Sequence, residues 1–570
     1  MFSYGQGFQN ATFQHEIDVF HDDAEFGNGV SFADFNADGW DDLSFATIGM
    51  DPKFYVNNEG TYEEIDLGIT SNGADMKAII WVDYDNDGDK DLFLSTSFEP
   101  LQLFQNDGDL NLTNVAASAG LNSEVTRNFG ACWVDYNKDG WLDLYVCKYH
   151  NPDFVGGYAF ENHLYKSNQD GTFTELANFL NVDDGVLPSF QSVFSDFDGD
   201  GWEDLYVIND RDVYPNNLYK NMEGESFENV GIESGVSQMY DAMCITVGDY
   251  DNDGDIDIYV TNSPEGNKMY RNLGDGTFEE VASELGLEVN QICWGSLWID
   301  YNNDMWQDLY VCAIYNLGTT NWQNTMYKNV EGVFEDVSTT VVSNDVMTSF
   351  SVAQGDYNND GFPDFVQNNQ APSSCALWRN GTGPNNWLKV SVEGVVSNKD
   401  AIGTRLDLYV NDISQVRTYQ CGEGYLAQDS ERKIFGLGSY DYVDSLLVTW
   451  PNGLQETYFP SEINTTIHLV EGQSLTASIV GTNTICGEEA VELGVSGDWE
   501  TFQWSNGEET ATIEVDTPGL YSVVVTNSSG FQVQSDTTNV TVYPALELNI
   551  GTDDVSCFGY TDGFGIVSVA

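Results

Sequence analysis

What this 570-residue sequence lacks above all is positive charge. Lysine and arginine together number 19 against 92 aspartates and glutamates, a formal net charge of −73. A reader of nucleic-acid phosphates and a polybasic membrane-surface binder both need a lysine and arginine footprint, so both are excluded. No run of about 18 apolar residues occurs, so no segment reads as a membrane-spanning helix. The first twenty residues, MFSYGQGFQNATFQHEIDVF, have neither a basic start nor an apolar stretch, so no signal peptide is expected in this chain. The nine cysteines form no C-x-x-C and the five histidines are scattered, which argues against a zinc centre. Hydrolase, metalloprotease and phosphate-loop signatures are missing too, and no catalytic residue is assigned.

What is present is enough apolar material for sizeable cores. Hydrophobic residues make up 41 % and aromatics 13 %, which separates the chain from simple acidic disorder. Charged residues reach only 19 % and nearly all are acids, so they cannot neutralise one another as salt bridges. Crowded carboxylates repel, and a fold tolerates them best with metal ions or salt. The question becomes where the aspartates sit.

They sit in one loop written seven times. Its ligand-type positions one, three, five and nine are Asp34, Asn36, Asp38 and Asp42 in the first copy and Asp83, Asp85, Asp87 and Asp91 in the second. Asp135, Asn137, Asp139 and Asp143 form the third, and Asp196, Asp198, Asp200 and Asp204 the fourth. The fifth holds Asp249, Asp251, Asp253 and Asp257, the sixth Asp300, Asn302, Asp304 and Asp308, and the seventh Asp356, Asn358, Asp360 and Asp364. Starts are spaced by 49, 52, 61, 53, 51 and 56 residues; position two is always aromatic, and position six is glycine in six of seven. The sixth copy departs from this: Met305 replaces the glycine, which predicts a strained or differently shaped turn and a poorer metal site.

Calcium is a hard cation that takes six to eight oxygens at about 2.3–2.6 Å. Alternate positions of a tight loop converge on one point, glycine permits the sharp turn, and the ninth-position aspartate closes the shell. Up to seven Ca2+ ions, one per loop, are expected. An EF-hand needs a glutamate at position twelve and flanking helices. Here position twelve is Phe45, Leu94, Val146, Val207, Val260, Val311 and Gln367, and the flanks (VSFAD before, LYVCK after) read as strands. The loop is a turn between antiparallel strands.

A later shared element, such as LYKSNQDGTFTELA, reads as strand, N-x-x-G turn and strand. Four short strands per period, seven times over and with little helix, fit an all-β seven-bladed β-propeller. Its first strand is expected to complete the last blade. These repeats resemble the FG-GAP/VCBS family, the calcium-loop blades of integrin α-subunit propellers and many secreted bacterial proteins, over about two-thirds of the chain.

The following stretch resembles the ASPIC/UnbV domain that follows such blades in proteins similar to cartilage acidic protein. Asn398, Gly403, Arg405, Gly424, Tyr425, the Phe435–Gly438 run and Trp450–Gly453 carry that likeness. Lys399, Arg405, Arg417 and Arg432 make it the one locally basic stretch, suited either to docking on the acidic propeller or to ordinary exposure. Next comes strict alternation with a buried-tryptophan candidate, Trp504, and a late-strand Tyr521, which resembles an Ig/PKD-like sandwich. The final DDVSCFGYTDGFGIVSVA looks like the opening of a SprB-type adhesin repeat, which implies a longer multidomain surface protein. The expected domains are 1–382, 383–465, 470–545 and 546–570. Cys132 with Cys147 and Cys293 with Cys312 stand on consecutive strands, where disulfides and buried free thiols are both open.

The reading is a secreted or cell-surface, calcium-stabilised module that recognises an extracellular protein or glycan and is not an enzyme. The alternative is a carbohydrate-binding or carbohydrate-active module that uses the propeller's central face.

Overall fold

The segments around each acidic loop are rich in leucine, β-branched and aromatic residues, which suit a pleated, buried surface. In the computed structural model both flanks are strands. It describes residues 7–20, 24–121, 125–150, 160–263, 265–314, 323–343, 345–486, 490–528, 530–543, 548–553, 561 and 563–569. Val30–Ala33 enters the first loop and Asp42–Phe45 leaves it, with Ala33 opposite Asp42, so the loop closes directly onto the ladder.

Six further pairs repeat the pattern. They are Asp75–Val82 with Asp91–Glu99, Thr126–Val134 with Asp143–Lys148, and Ser189–Ser195 with Asp204–Asn209. Ala242–Gly248 with Asp257–Asn262, Cys293–Ile299 with Asp308–Ala313, and Ser349–Gly355 with Asp364–Asn369 follow. Two more strands extend each pair to a four-stranded antiparallel unit, and Thr126–Arg127 pairing with Ser97 and Glu99 joins the second and third units. The outermost strand of the seventh comes from the other end of the chain: Gln9 and Asn10 pair with Arg379 and Trp378.

The seven entering strands are almost wholly buried, and each packs against the next. The last, Ser349–Gly355, packs against the first, Val30–Ala33, so the circuit closes. This all-β arrangement is consistent with a β-propeller.

Residues 1–471 form one compact unit, so the 383–465 region belongs to the same body as the sheets before it. That region builds a three-stranded sheet from Asn386–Glu393, Lys433–Gly438 and Thr465–Val470. A four-stranded sheet lies beside it in the order Ile413–Thr418, Arg405–Val410, Ser445–Thr449, Gln455–Tyr458.

Residues 472–570 form a second compact unit. Its three small sheets pack Leu493, Trp504, Ile513, Val525 and Val540 into a core. The Tyr521 hydroxyl donates to the Thr517 carbonyl at 3.1 Å. Leu548–Asp553 and Phe564–Val569 pair as a separate hairpin.

Seven described cysteines, the four proposed for pairing among them, are buried free thiols. Cys557, the Cys486 side chain and His21 lie outside the described residues.

Candidate metal loops and the domain that covers them

In the first loop, the Asp38 and Gly39 backbone N–H groups donate to the two oxygens of Asp34 at 2.9 and 2.8 Å. The same two donors, from positions five and six, hold Asp83, Asp135, Asp249, Asp300 and Asp356. At Asp196 the Gly201 N–H donates at 2.9 Å. Met305 keeps this pattern: it adopts φ +81°, and its N–H reaches Asp300 at 2.9 Å. The turn therefore has the same shape as its neighbours, with the strain of a side chain in a left-handed conformation.

Five of the seven ninth-position aspartates, Asp42, Asp91, Asp257, Asp308 and Asp364, are tied from two sides. Asp42 accepts the Phe35 N–H at 3.2 Å and the Asn57 N–H at 2.7 Å. Asn57 is the asparagine of the N-x-x-G turn, and its counterparts Asn106, Asn221, Asn272, Asn329 and Asn380 occupy the same place. Ser167 stands there in the third sheet. These asparagines also bond across sheets: Asn329 Nδ2 donates to the Tyr250 carbonyl of the previous loop at 2.7 Å and to the Gln307 carbonyl at 3.0 Å. Asn57, Asn221, Asn272 and Asn380 make the same reach, to Tyr357, Tyr136, Phe197 and Tyr301.

Position four provides a second chain of links. Its residue takes a left-handed conformation in all seven loops, and asparagine does so at small cost. Asn86, Asn252, Asn303 and Asn359 each donate to the position-six carbonyl of the next loop, on Gly140, Met305, Gly361 and Gly39. The repeated asparagines at these two positions are the sequence signal for both sets of links, although turn propensity by itself also explains asparagine there.

The carboxylates are poorly compensated where they stand. Burial first, and then the neighbouring loop carboxylates, push Asp91 up to about 9 and Asp42 and Asp204 up to about 8. Asp83, Asp135 and Asp249 are raised to about 7, burial again being the largest cause. Among the described residues, three loops gather carboxylate oxygens within 4.8 Å of one another: Asp83, Asp85 and Asp91; Asp196, Asp198 and Asp200; Asp249, Asp251 and Asp257. Asp85 Oδ1, Asp143 Oδ2, Asp196 Oδ1, Asp251 Oδ1 and Asp360 Oδ2 are buried without a hydrogen-bond partner. An all-oxygen donor set with orphaned acceptors suits a hard divalent cation.

The 383–465 region lies directly on these loops. Arg432 pairs with Asp41 at 2.7 Å and with Asp34 at 2.5 Å, and Lys389 pairs with Asp356. Arg405 donates to the Gly254 carbonyl at 2.7 Å, and the Lys399 N–H donates to Asn86 Oδ1 at 2.8 Å. Arg417 is half-buried, with Asp300 and Asp249 as its opposing charges.

One loop of this region, residues 419–432, enters the centre of the circuit. Its backbone bridges Trp133 through Cys421 and Ser31 through Gln428. Gly422, at φ +90°, lies so close to the chain that a Cβ would meet the Ala131 oxygen at 2.2 Å. Tyr425 packs against Trp294 at 5.0 Å and Phe190 at 6.0 Å between ring centroids. The acidic-loop end of the central channel is therefore filled by this chain's own residues. Nothing in the sequence distinguished that loop as an insertion.

Three described histidines bond residues other than the loops' ligand-type positions: His15 bonds Tyr357, His163 bonds Tyr165, and His468 bonds Ser391 and Glu393. Among the described residues, no helix is long and apolar enough to cross a membrane.

Comparison with known proteins follows this geometry. The FG-GAP-like repeat family matches residues 34–94, 83–146, 196–260, 249–311 and 300–366, each stretch running from one acidic loop through the next. The ASPIC and UnbV family matches residues 394–476. Cartilage acidic protein 1 of Xenopus tropicalis is 24 % identical over 503 residues, covering 71 % of this chain and 75 % of that protein. The Mus musculus protein of the same name is 23 % identical over 481 residues, covering 69 % and 73 %. The Homo sapiens protein is 25 % identical over 358 residues, covering 61 % of this chain and 44 % of its own length.

Proposed function

Since the chain carries FG-GAP-like repeats and an ASPIC and UnbV domain and is homologous to cartilage acidic protein 1, we propose that it is an extracellular recognition module built on a seven-bladed, calcium-stapled propeller. The observation that carries the calcium reading is the set of buried, unpartnered carboxylate oxygens inside the loops, Asp85 Oδ1 and Asp251 Oδ1 foremost. A divalent ion supplies the charge that burial and crowding leave uncompensated there. Positions one, three, five and nine would hold it, and its role is structural: it fixes each loop against the next.

The partner is an extracellular protein or a glycan, met as part of a larger surface assembly. Buried Trp504 and the Tyr521–Thr517 hydrogen bond support reading residues 470–545 as an Ig-like module. We read the hairpin of Leu548–Asp553 and Phe564–Val569 as part of an adhesin-type repeat. A central-face glycan enzyme is the weaker reading, because Tyr425 and its loop fill the acidic-loop end of the channel.

Thermal melting of the full chain with and without EDTA tests the calcium role. We expect a large drop in melting temperature on chelation and recovery on adding calcium. An unchanged melt after verified metal removal rejects the reading. Binding to arrays of extracellular proteins and glycans, scored for capture and for product release, separates recognition from turnover.

A further inference from the structure

The seven loops are chemically unequal, and the difference lies at one register position. On the third strand of each sheet, the residue just before the asparagine (or Ser167) that bonds the ninth-position aspartate is Val56, Gln105, Lys166, Lys220, Arg271, Lys328 or Arg379. Where that residue is lysine, it reaches the loop of its own sheet. Lys166 pairs with Asp139 at 2.8 Å, Lys220 with Asp198 and, at 3.0 Å, with Asp200, and Lys328 with Asp304 at 3.2 Å.

Arg379 stands 4.0 Å from Asp360, in the loop where Lys389 also sits on Asp356. The first loop has neutral Val56 at this position but receives Arg432 on Asp34. Two loops differ. Gln105 is neutral and donates to Asp85 at 2.7 Å, while Arg271 pairs with Glu279 at 2.7 Å on the adjacent strand. Among the described residues, no lysine or arginine comes within ion-pair distance of the four aspartates of the loop from Asp83 or of those of the loop from Asp249, although Lys90 acts on Asp83, and Arg417 and Arg271 on Asp249 and Asp251, at longer range.

The same two loops draw their first-, third- and ninth-position carboxylates together. Both also leave the third-position aspartate, Asp85 or Asp251, with a buried unpartnered oxygen. The loop from Asp196 has four aspartates as well, but Lys220 occupies two of them.

We infer that this strand position sets each loop's affinity for a divalent cation, and that the loops from Asp83 and Asp249 are the two tight sites. A lysine there is a tethered competitor: it supplies one positive charge without losing translational freedom, and it repels an incoming ion. The inference rests on the calcium reading above.

Calorimetric titration of the metal-stripped full chain with calcium, with bound ions counted by native mass spectrometry, tests it. Two ions should bind ahead of the rest. Lys220→Gln, a change at a partly exposed side chain, should add a third ion to the tight class by tightening its loop about tenfold. Gln105→Lys should remove one tight ion while leaving a cooperative melt. Seven ions of equal affinity, or variants whose tight count stays at two, would overturn the inference and leave the calcium reading standing. Absence of calcium binding in every form would overturn the calcium reading itself.

Discussion

The hydroxyl of Tyr425 donates to the carbonyl of Phe26 at 2.7 Å, joining residues 399 positions apart at the middle of the circuit. The ring and the region that follows it therefore share a core. Tyr425→Ala should cost about 3–5 kcal/mol, the range for emptying a buried aromatic site. Tyr425→Phe, which loses only the hydrogen bond, should cost about 1 kcal/mol. Chemical denaturation of the full chain measures both, and equal costs would show that packing contributes nothing there.

Arg432 is largely buried between Asp34 and Asp41. Removing one partner of such a pair strands a buried charge, at about 3–5 kcal/mol. Arg432→Ala should be destabilising to that degree, and Arg432→Ala with Asp41→Asn should cost less than the two single changes summed. Additive costs would mean that the two groups do not interact.

The strand at Gln9–Asn10 completes the seventh sheet, and Phe8 packs on Phe365 with ring centroids 4.7 Å apart. Deleting residues 1–11 should lower the melting temperature and speed proteolysis within the seventh sheet. Unchanged cleavage would show that the circuit holds without this closure.

Asn329 satisfies two carbonyls on different sheets through its side chain. Asn329→Ala strands both and should cost about 2–6 kcal/mol, since each buried unmade bond costs about 1–3 kcal/mol. Calorimetric melting checks this, and a cost below about 0.5 kcal/mol would mean that water replaces the amide.

Asp184 lies away from the acidic loops and accepts hydrogen bonds from Asn209, Asn217 and Tyr219, yet burial raises its carboxyl to about 6. The folded chain thus holds this proton more tightly than the unfolded chain, whose aspartates titrate near 3.9. Ionised Asp184 costs stability above about pH 6, and that cost is relieved as the pH falls toward 4. Wild-type stability measured relative to Asp184→Asn should therefore rise across that interval. A flat difference would place the Asp184 pKa near its ordinary value.

The loops were legible because calcium-type spacing and hairpin chemistry leave fixed marks: aspartates at alternate positions, glycine at the turn, apolar strands on either side. The closing strand at residues 9–10 was legible from the repeat count, since a seventh sheet short of one strand must borrow it. The basic run left docking and ordinary exposure both open: Arg432 pairs with the loop acids Asp34 and Asp41, whereas Lys399 and Arg405 pair with Glu393 and Asp407 of their own region. The course of residues 419–432 was hidden, because a loop that enters a channel differs from an exposed loop only in what surrounds it. Met305 carries the strain expected of it, while the turn keeps the shape of its neighbours. Its backbone is left-handed and its N–H holds Asp300, as the glycine N–H does in the other loops.

The bridge between Ser31 and Gln428 has a consequence for how the chain is made. On a ribosome, the strand at residues 9–10 emerges before its partner at residues 378–379, which follows nearly the whole ring later. The sheets between can form as local hairpins while their common centre stays open. Closure then depends on contacts of very large sequence separation, the slowest kind to form. A segment made before the whole ring is thus among the last to find its place.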